Sequence, residues 1–260
     1  MSQKTSGETV PFVYAANNRN GVLCGEVIRA LGYRPRALLL HPGPHRKCGD
    51  ELCALFPQVP VITWGADVED ELREAGADML LSVNFGYIFK KSSLSLFRYP
   101  VNLHMSYLPH NKGAHPNVWA IYEGTPAGVT LHVMSPEVDT GDIIAQAEVP
   151  VDPAETGKSL YSKLERASAA LLEEWLPILM SGCFPTRPMP QGGSCHRADE
   201  FAALCAIDPE APTTAGELIR RLRALEFPPY HNAALVMSER KKFFINVKLE
   251  QQADEKQKQV

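Results

Sequence analysis

Three polar residues of this sequence could together carry out acid–base chemistry. Asn102 and His104 lie two positions apart at the end of an apolar run, and Asp139 lies in the turn sequence SPEVDTGD. Residues two apart in a strand project from the same face, so we expect Asn102 and His104 to share one site. A histidine can accept the proton of an attacking amine, an amide can stabilise an oxyanion, and a carboxylate can orient the imidazole and favour its protonated form. The set predicts acyl transfer without a covalent enzyme intermediate.

Each of these residues also has an ordinary structural interpretation. Taken singly, Asn102 is typical of a strand end, His104 of a hydrogen-bonded interior histidine, and Asp139 of a turn. A metal site could be built from His104, His110 and His115. Their spacing matches no familiar ligand pattern, however, and a second acidic or cysteine ligand is not evident in the sequence. We therefore predict no metal.

The segments that carry these residues alternate between strand-like and helix-like patterns. Short apolar runs predict strands at 11–16, 36–42, 59–64, 78–85, 100–104, 127–135 and 142–151. Apolar residues at helical spacing, acidic starts and glycine ends predict helices in VLCGEVIRALG, DVEDELREAG and HPNVWAIYEG, and a long helix over 156–180. NNRNG (17–21) is interpreted as a turn. The alternation predicts an α/β, Rossmann-like fold, with a mostly parallel sheet and helices on both faces.

The predicted sheet does not carry a glycine-rich nucleotide loop. The first strand is followed by NNRNG rather than by GxGxxG, and GxxxxGK[ST] does not occur in the sequence. Ligands of open α/β sheets bind beyond the carboxyl ends of the strands. Asn102 and His104 are expected at this edge, so the sheet is predicted to position them for a different chemistry.

The chain after the long helix is predicted to contain a linker and a small extension. We predict a catalytic domain over residues 1–182, a linker rich in turn residues over 183–204, and a small C-terminal α+β extension over 205–250. In the extension, AGELIRRLRALEF predicts an amphipathic helix and AALVMSERKKFFINVKL predicts two strands around a polar turn. Residues 251–260 are predicted to be disordered because they are almost entirely polar.

Composition argues against several classes of protein. The 260 residues are 45% hydrophobic, enough for one sizeable core and a small appendage. A net charge of -4 and a pI near 6.1 argue against a nucleic acid partner, because neutralising phosphates needs clustered Lys and Arg. Six cysteines without a CxxC pair predict reduced thiols, and neither a signal-peptide pattern nor an apolar run of about 18 residues is present. We therefore expect a soluble, cytoplasmic protein without a membrane partner.

Four motifs together resemble one enzyme family. The sequence is similar to the formyltransferases that use 10-formyltetrahydrofolate, over roughly residues 10–182, through the motifs NLH (102–104), LPHNKG (108–113), GVTLHVMSPEVDTGDII (128–144) and SVNFGYIF (82–89). The resemblance implies that the catalytic Asn, His and Asp of the family fall on Asn102, His104 and Asp139. It also implies that backbone groups of two loops hold the pterin ring, namely those of Phe85, Gly86, Tyr87 and Ile88 and those of Val138, Gly141 and Asp142.

The resemblance also reduces the number of possible formyl acceptors. Methionyl-tRNA formyltransferases carry a C-terminal barrel with a basic surface, whereas the shorter segment 216–250 is similar to the extension of sugar-nucleotide N-formyltransferases. That branch implies a homodimer that formylates a dTDP- or GDP-linked 3- or 4-amino deoxysugar for bacterial surface glycans of the O-antigen, or lipopolysaccharide, type. Lys112 replaces an arginine that is frequent in related enzymes, so a bidentate phosphate contact is not expected there. The candidates for binding the sugar nucleotide are Arg19, Lys112, Asn117, Phe227 and Tyr230.

Two alternatives stay open at this point. The chain could formylate another small amine, such as glycinamide ribonucleotide, or it could be a folate-binding or regulatory relative that has lost catalysis. The presence of Asn102, His104 and Asp139 in the order of the family argues against the second alternative. Release of tetrahydrofolate in a turnover assay would separate an enzyme from a relative that only binds.

Overall fold

The computed structural model describes residues 9–236 and 242–250, and the part up to residue 182 alternates strands and helices. Its elements in chain order, with a 3-10 turn at Gly43–His45, are β1 (Phe12–Ala16), α1 (Arg19–Ala30), β2 (Ala37–Leu40), α2 (Gly49–Leu55), β3 (Val61–Thr63), α3 (Val68–Glu74), β4 (Met79–Val83), α4 (Lys91–Leu94), β5 (Tyr99–His104), β6 (Lys112–Gly113), α5 (Pro116–Glu123), β7 (Ala127–Val133), β8 (Ile143–Val149) and α6 (Gly157–Met180).

A seven-stranded sheet forms the centre of this part, in the order β3-β2-β1-β4-β5-β7-β8. The pairs from β3 to β5 are parallel, whereas β7 runs antiparallel to both β5 and β8. The predicted α/β fold with a mostly parallel sheet is confirmed. The strand order changes direction between β1 and β4, and ligands of such sheets bind beyond the carboxyl ends of the strands near this point.

Helices cover both faces of the sheet, as predicted. β1, β2 and β4 are buried along their whole length, which explains why their sequences are continuous apolar runs rather than alternating ones. Side chains of α1, α2, α5 and α6 pack against one face, and those of α3 and α4 pack against the other. Within the described residues, the helices are too short or too polar to cross a membrane.

Two helices begin where a side chain caps them. α1 begins at Arg19 because the Asn18 side chain accepts a hydrogen bond from the Gly21 backbone N–H at 3.2 Å. The interpretation of 17–21 as a turn is therefore wrong for its last three residues, which are helical. α6, predicted over 156–180, begins behind a capping box made by Thr156 and Ser159.

The chain after residue 182 forms a smaller unit. β10, β13 and β14 form one small sheet and β11 pairs with β12, whereas β9 pairs with β6 of the main part. The elements of this unit are β9 (Cys195–His196), α7 (Ala198–Cys205), β10 (Ala206–Ile207), α8 (Ala215–Leu225), β11 (Glu226–Phe227), β12 (Tyr230–His231), β13 (Ala234–Val236) and β14 (Lys242–Phe244).

Helix α8 and the antiparallel pair of β13 and β14 match the helix and the two strands predicted for the extension. The segment 183–204, predicted as a linker, contains β9 and most of α7. The polar turn predicted between the two strands falls largely on 237–241, and the tail predicted to be disordered is 251–260. Both lie outside the described residues. The division of the chain into domains at these boundaries stays a prediction.

Candidate active site

The side chains of Asn102, His104 and Asp139 come together with that of a fourth residue, His132, at the carboxyl end of β5. His132 stands opposite Asn102 in the antiparallel pairing of β5 with β7, and its Nε2 lies 3.2 Å from the Asn102 Nδ2. The Asp139 Oδ1 lies 3.5 Å from the His132 Nε2, and the Asp139 Oδ2 lies 3.5 Å from the His104 Nε2. One carboxylate therefore faces two imidazoles, with an amide beside one of them.

The loop 135–142 presents Asp139 to this site through a tight turn. Asp139 has a φ of 52°, in the left-handed region that aspartate tolerates better than most residues. Gly141 passes so close to the Val133 carbonyl that an added Cβ would overlap it, which explains the glycine of DTGD. The Ser135 and Thr140 hydroxyls lie 2.7 Å apart and close the base of the turn.

The surroundings of Asp139 keep it ionised although it is largely buried. Burial alone would raise the pKa of Asp139. The charge of His104, the hydrogen bond and charge of His132, and a 2.9 Å hydrogen bond from the Gly113 backbone N–H outweigh burial and hold the pKa well below its usual range. The site thus holds a negative charge that can stabilise a protonated imidazole at neutral pH.

The protonation of His132 follows from its neighbours. Its Nδ1 lies 3.0 Å from the Val133 carbonyl oxygen, which can only accept, so Nδ1 carries a proton. In the neutral ring Nε2 accepts a hydrogen from the Asn102 amide, and in the protonated ring it can donate to Asp139. The sequence analysis missed His132, because only the strand order places it opposite a residue thirty positions earlier.

The loop predicted to bind the pterin follows β4, the strand beside β5. Phe85 is buried, Gly86 passes beside the His41 ring, and Ile88 is 67% exposed. Tyr87 stacks in parallel on Trp64, with 5.2 Å between ring centroids and 1° between ring planes. The first loop predicted to bind the pterin is thus an aromatic surface with an exposed aliphatic end.

Two residues that the sequence analysis did not single out support this loop. The His41 Nε2 donates to the Phe85 carbonyl, and burial lowers the pKa of His41, which favours its neutral ring. Trp64 contacts Phe85, Tyr87 and Phe89 with its ring. Both follow apolar strands at the carboxyl edge of the sheet, and that position is the signal that could have identified them.

The second predicted pterin loop lies around Asp139. Val138 and Asp142 are exposed, and the Asp142 carbonyl accepts a hydrogen bond from the Val133 N–H at 2.8 Å. Met134, which leads into this loop, packs against the apolar cluster that contains Phe85. The two loops therefore meet the same cluster from different strands.

The structure groups three of the five acceptor candidates along α6. Phe227 and Tyr230 are partners in the β11–β12 pair, and the Lys158 Nζ lies 4.9 Å from the centroid of the Phe227 ring. Arg19 is the first residue of α1, a helix that packs against α6. Burial raises the pKa of Glu165 on α6, and the positive charges of Arg19 and Lys158 act against that rise.

Tyr161 extends this group along α6. The centroid of its ring lies 5.4 Å from the centroid of the Phe227 ring. Burial, together with the charge of Glu165, raises the pKa of Tyr161 to about 12, so the phenol stays protonated. The sequence analysis missed Lys158 and Tyr161 because their helix looked like a purely structural one.

The other two acceptor candidates lie elsewhere. Asn117 is buried, and its Nδ2 donates to the Gly157 carbonyl at 2.9 Å. Because this contact commits its amide to the fold, we do not include Asn117 in the substrate site proposed below. Lys112 lies in β6, whose backbone pairs with β9, and its side chain is partly exposed.

In the described part of the chain, no group of three His, Cys, Asp or Glu side chains is arranged to hold a metal ion. The candidate site therefore consists of protein amides, imidazoles and one carboxylate. Such a set can move a proton and stabilise an oxyanion.

Two family models match parts of the chain, and one of them spans this site. Residues 60–176 match the formyl transferase model, and residues 200–251 match the dimerization C-terminal domain of N-formyltransferases. The first match includes Asn102, His104, His132 and Asp139. Over residues 60–176 the chain is therefore similar to the formyl transferases.

Curated relatives cover two kinds of formyl acceptor. The chain is 34% identical over 177 residues to a methionyl-tRNA formyltransferase of Halorhodospira halophila, covering 67% of this chain and 56% of that protein. It is 31% identical over 150 residues to a dTDP-4-amino-4,6-dideoxyglucose formyltransferase of Mycobacterium bovis, covering 58% of this chain and 64% of that protein. The chain thus spans between half and two thirds of the length of these relatives.

Solved structures share the fold of much of the chain. A sugar N-formyltransferase from a Shewanella species superposes with a TM-score of 0.82 at 20% identity, over 94% of this chain and 99% of that one. The formyltransferase PseJ from Anoxybacillus kamchatkensis, in complex with UDP-4,6-dideoxy-4-formamido-L-AltNAc and tetrahydrofolate, gives a TM-score of 0.52 at 29% identity, over 64% of this chain and 88% of that one.

Proposed function

We propose that this chain transfers a formyl group from 10-formyltetrahydrofolate to the amine of a nucleotide-linked amino sugar. The proposal rests on one observation, the convergence of Asn102, His104 and Asp139 at the carboxyl edge of a formyl transferase domain. The complex of PseJ with a formamido sugar nucleotide and tetrahydrofolate supports both substrate classes.

The proposed reaction moves the formyl group between two nitrogen atoms. The acceptor amine attacks the formyl carbon, the carbonyl oxygen becomes an oxyanion, and the bond from this carbon to N10 of the folate then breaks. His104 takes the proton that the amine loses and returns it to N10, so that tetrahydrofolate leaves neutral at that nitrogen. Asp139, held ionised, stabilises the imidazolium between these two steps.

Asn102 supplies the hydrogen bond to the oxyanion. A side-chain amide has two N–H donors, and the neutral His132 ring accepts one of them. The second is then fixed in direction and free to meet the charge that develops on the formyl oxygen. A donor oriented before the reaction stabilises the transition state without further reorganisation.

The folate is proposed to bind between the two loops that meet the Phe85 cluster. The pterin is flat and aromatic, and the stacked Trp64 and Tyr87 rings provide an aromatic surface against which it can pack. The His41 imidazole fixes the orientation of the Phe85 carbonyl, a backbone hydrogen-bond acceptor beside these rings. The backbone of Val138, Gly141 and Asp142 is proposed to contact the pterin from the opposite loop.

The sugar nucleotide is proposed to lie along α6. Arg19 and Lys158 offer positive charge for a pyrophosphate, and Phe227 with Tyr230 offers a ring surface for the base. The Mycobacterium bovis relative, named for a dTDP-linked 4-amino sugar, supports dTDP and an amine at position 4 as the first candidates. A formylated sugar nucleotide is an activated donor, so a glycosyl transfer reaction, such as surface glycan assembly, would consume it.

Methionyl-tRNA is the second candidate acceptor, because the Halorhodospira halophila relative carries that name. Binding a polyanion requires clustered positive charge, whereas the net charge here is -4. We therefore rank the sugar nucleotide first and the tRNA second.

A turnover assay on a panel of acceptors tests the proposal. With 10-formyltetrahydrofolate present, we expect tetrahydrofolate release with dTDP- or GDP-linked 3- or 4-amino deoxysugars, and a mass gain of one formyl group on the sugar. Glycinamide ribonucleotide and methionyl-tRNA serve as comparison acceptors. Faster turnover with either of these would reject the proposal that the acceptor is a sugar nucleotide. If no amine supports turnover, the proposal that the chain is a formyltransferase enzyme is rejected.

Tyr230→Ala tests the acceptor site in the same assay. Tyr230 is 65% exposed, so its removal should leave the fold intact. We expect the KM for the sugar nucleotide to rise by about tenfold while the KM for 10-formyltetrahydrofolate stays within about twofold, because the lost contact belongs to one substrate. An equal change in both constants would place Tyr230 outside the acceptor site.

A homodimer is proposed from the C-terminal unit. Residues 200–251 match a dimerization domain, and β14 presents Phe243 and Phe244, each more than half exposed. Exposed neighbouring aromatic side chains are typical of a protein interface.

A further inference from the structure

The loop between β5 and α5 sets the geometry of both His104 and Asp139. The backbone N–H of Gly113 donates to the Asp139 Oδ2 at 2.9 Å. The Asn111 carbonyl oxygen lies 3.4 Å from the His104 Nε2. A shift of residues 111–113 would therefore move a hydrogen bond on each member of the pair.

A segment from the C-terminal side of the chain holds this loop through its backbone. The Ser194 Oγ accepts a hydrogen bond from the Asn111 N–H at 3.1 Å and lies 3.1 Å from the Asn111 Oδ1. The Lys112 N–H donates to the Ser194 carbonyl, and the Ala114 N–H donates to the His196 carbonyl, both at 2.9 Å. These bonds form the parallel pairing of β6 with β9. The segment lies between the two family matches, which end at residue 176 and begin at residue 200.

The side chain of His196 fixes the segment against α5. Its ring stacks on Trp119 with 3.9 Å between centroids and 10° between planes. Its Nε2 lies 3.0 Å from a carboxylate oxygen of Glu123, a close contact without hydrogen-bond alignment, and its Nδ1 lies 3.2 Å from the Glu200 Oε2. A largely buried ring with contacts on one face and both nitrogens has little freedom to move.

Gly193 allows the segment to reach the loop. It has a φ of +79°, and an added Cβ would overlap the Pro109 carbonyl. A residue with a side chain would therefore separate the segment from the loop at its first point of contact.

We propose that residues 193–196, here called the brace, position the His104–Asp139 pair by fixing the loop 109–115. Ser194 and His196 are the positioning residues, and they act through Asn111 and Gly113 rather than on the substrate. The inference rests on the proposed function for its catalytic consequence. If the brace acts in this way, catalysis depends on a segment that lies outside the formyl transferase match.

Ser194→Ala is the first test, in the turnover assay with the best acceptor. Removing the hydroxyl loosens the Asn111 backbone, and we expect kcat to fall by about tenfold while the KM of each substrate stays within about twofold, because small misplacements of reacting groups act on the chemical step. Ser194→Thr keeps a hydroxyl and should retain most of kcat. Ser181→Ala is the matched control, because its hydroxyl bonds the Ile178 carbonyl at the far end of α6.

Hydrogen exchange of the Gly113 amide is the second test, and it does not require formyl transfer. We expect exchange to accelerate roughly tenfold in Ser194→Ala and to return towards the wild-type rate in Ser194→Thr, because the Asp139 hydrogen bond weakens with the loop. His196→Phe, which keeps a ring on Trp119 but loses both carboxylate contacts, gives a second variant with the same expected direction.

The outcomes separate the brace from the proposed function. Wild-type kcat and wild-type Gly113 exchange in both Ser194→Ala and His196→Phe would overturn the inference. A loss of kcat that Ser181→Ala shares, or that Ser194→Thr does not restore, would assign the effect to general destabilisation and would also overturn it. If the wild-type protein formylates no acceptor, the proposed function fails, and the Gly113 exchange rates still decide whether the brace fixes the loop.

Discussion

At the residue scale, two opposing effects set the pKa of Asp139. Burial raises it, and nearby positive and polar groups lower it further than burial raises it. Asp139 is a largely buried carboxylate that two imidazoles and a backbone N–H keep ionised. His104, itself 8% exposed, faces this carboxylate and the Asn111 carbonyl. When His104 accepts a proton, the Asp139 carboxylate and the Asn111 carbonyl can therefore stabilise the positive charge of its ring.

Substitutions of the two residues on β5 test the roles proposed for them. His104→Asn removes the base and Asn102→Ala removes the oxyanion donor, so each should lower kcat by about 10² or more while KM changes little. Turnover near the wild-type value in both variants would contradict the assignment. Unchanged thermal unfolding would show that the loss is chemical rather than structural.

The depressed pKa of Asp139 predicts a specific pH dependence of stability. A carboxyl group with a pKa lower in the folded than in the unfolded chain stabilises the fold above its unfolded pKa of about 3.9, and this contribution is lost as the pH falls below that value. The difference in unfolding free energy between the wild type and Asp139→Asn should therefore be smaller below about pH 4 than it is near pH 5. Denaturant titrations at several pH values measure it, and a difference that widens in acid would contradict the prediction.

At the element scale, two loops and one strand pair assemble the site. β5 carries Asn102 and His104, β7 places His132 opposite Asn102, and the loop after β7 returns Asp139 to the same point. The turn is compact because Gly141 lies against the last residue of β7. The geometry of the carboxylate thus depends on a position that carries no functional group.

Gly141→Ala should damage the turn more than a glycine substitution elsewhere. An added Cβ would overlap the Val133 carbonyl backbone, and we expect a loss of about 1–3 kcal/mol of stability together with reduced kcat. Gly43→Ala is the matched control, because an added Cβ at Gly43 meets nothing within 4 Å, and it should change stability by less than about 0.5 kcal/mol. Chemical denaturation of both variants measures the difference, and equal effects would remove the special role of Gly141.

At the scale of the whole molecule, the C-terminal unit contacts the candidate active site and also carries exposed aromatic residues. Its β9 pairs with the loop that supports His104 and Asp139, and β11 and β12 bring Phe227 and Tyr230 to α6. Its β14 carries the exposed Phe243 and Phe244 proposed for a dimer interface. We therefore propose that this short unit contributes to catalysis, acceptor binding and assembly.

The double variant Phe243→Ser with Phe244→Ser tests the assembly. If these side chains lie in a dimer interface, dissociation should increase by at least about tenfold, because buried aromatic residues contribute strongly to such interfaces. Sedimentation at several protein concentrations measures it. Val61→Ser, which changes an exposed valine on β3 at the edge of the seven-stranded sheet, is the control and should leave the oligomeric state unchanged. A wild-type monomer, or a dimer that survives the double variant, would contradict the proposal.

Local chemistry alone determined much of the main part of the chain. Continuous apolar runs such as those of β1, β2 and β4 are typical of strands buried on both faces, so their positions and the parallel sheet could be predicted from the sequence. The period of two in a strand also brought Asn102 and His104 to one face, and the acidic turn marked Asp139. The NNRNG segment was mispredicted because a single cap, Asn18, extends α1 into residues that favour a turn.

Only the tertiary structure decided which distant residues share the site. His132 faces Asn102 because β7 adds to the sheet antiparallel to β5, and local propensity does not specify that register. The same limit applies to Asn117, whose amide the fold commits to the Gly157 carbonyl, and to Ser194, which lies 83 residues from Asn111 and yet bonds its backbone. Contacts between residues far apart in the chain depend on the free energy of the whole packed fold. The sequence therefore predicts the types of residue in the site, and the packing selects their partners.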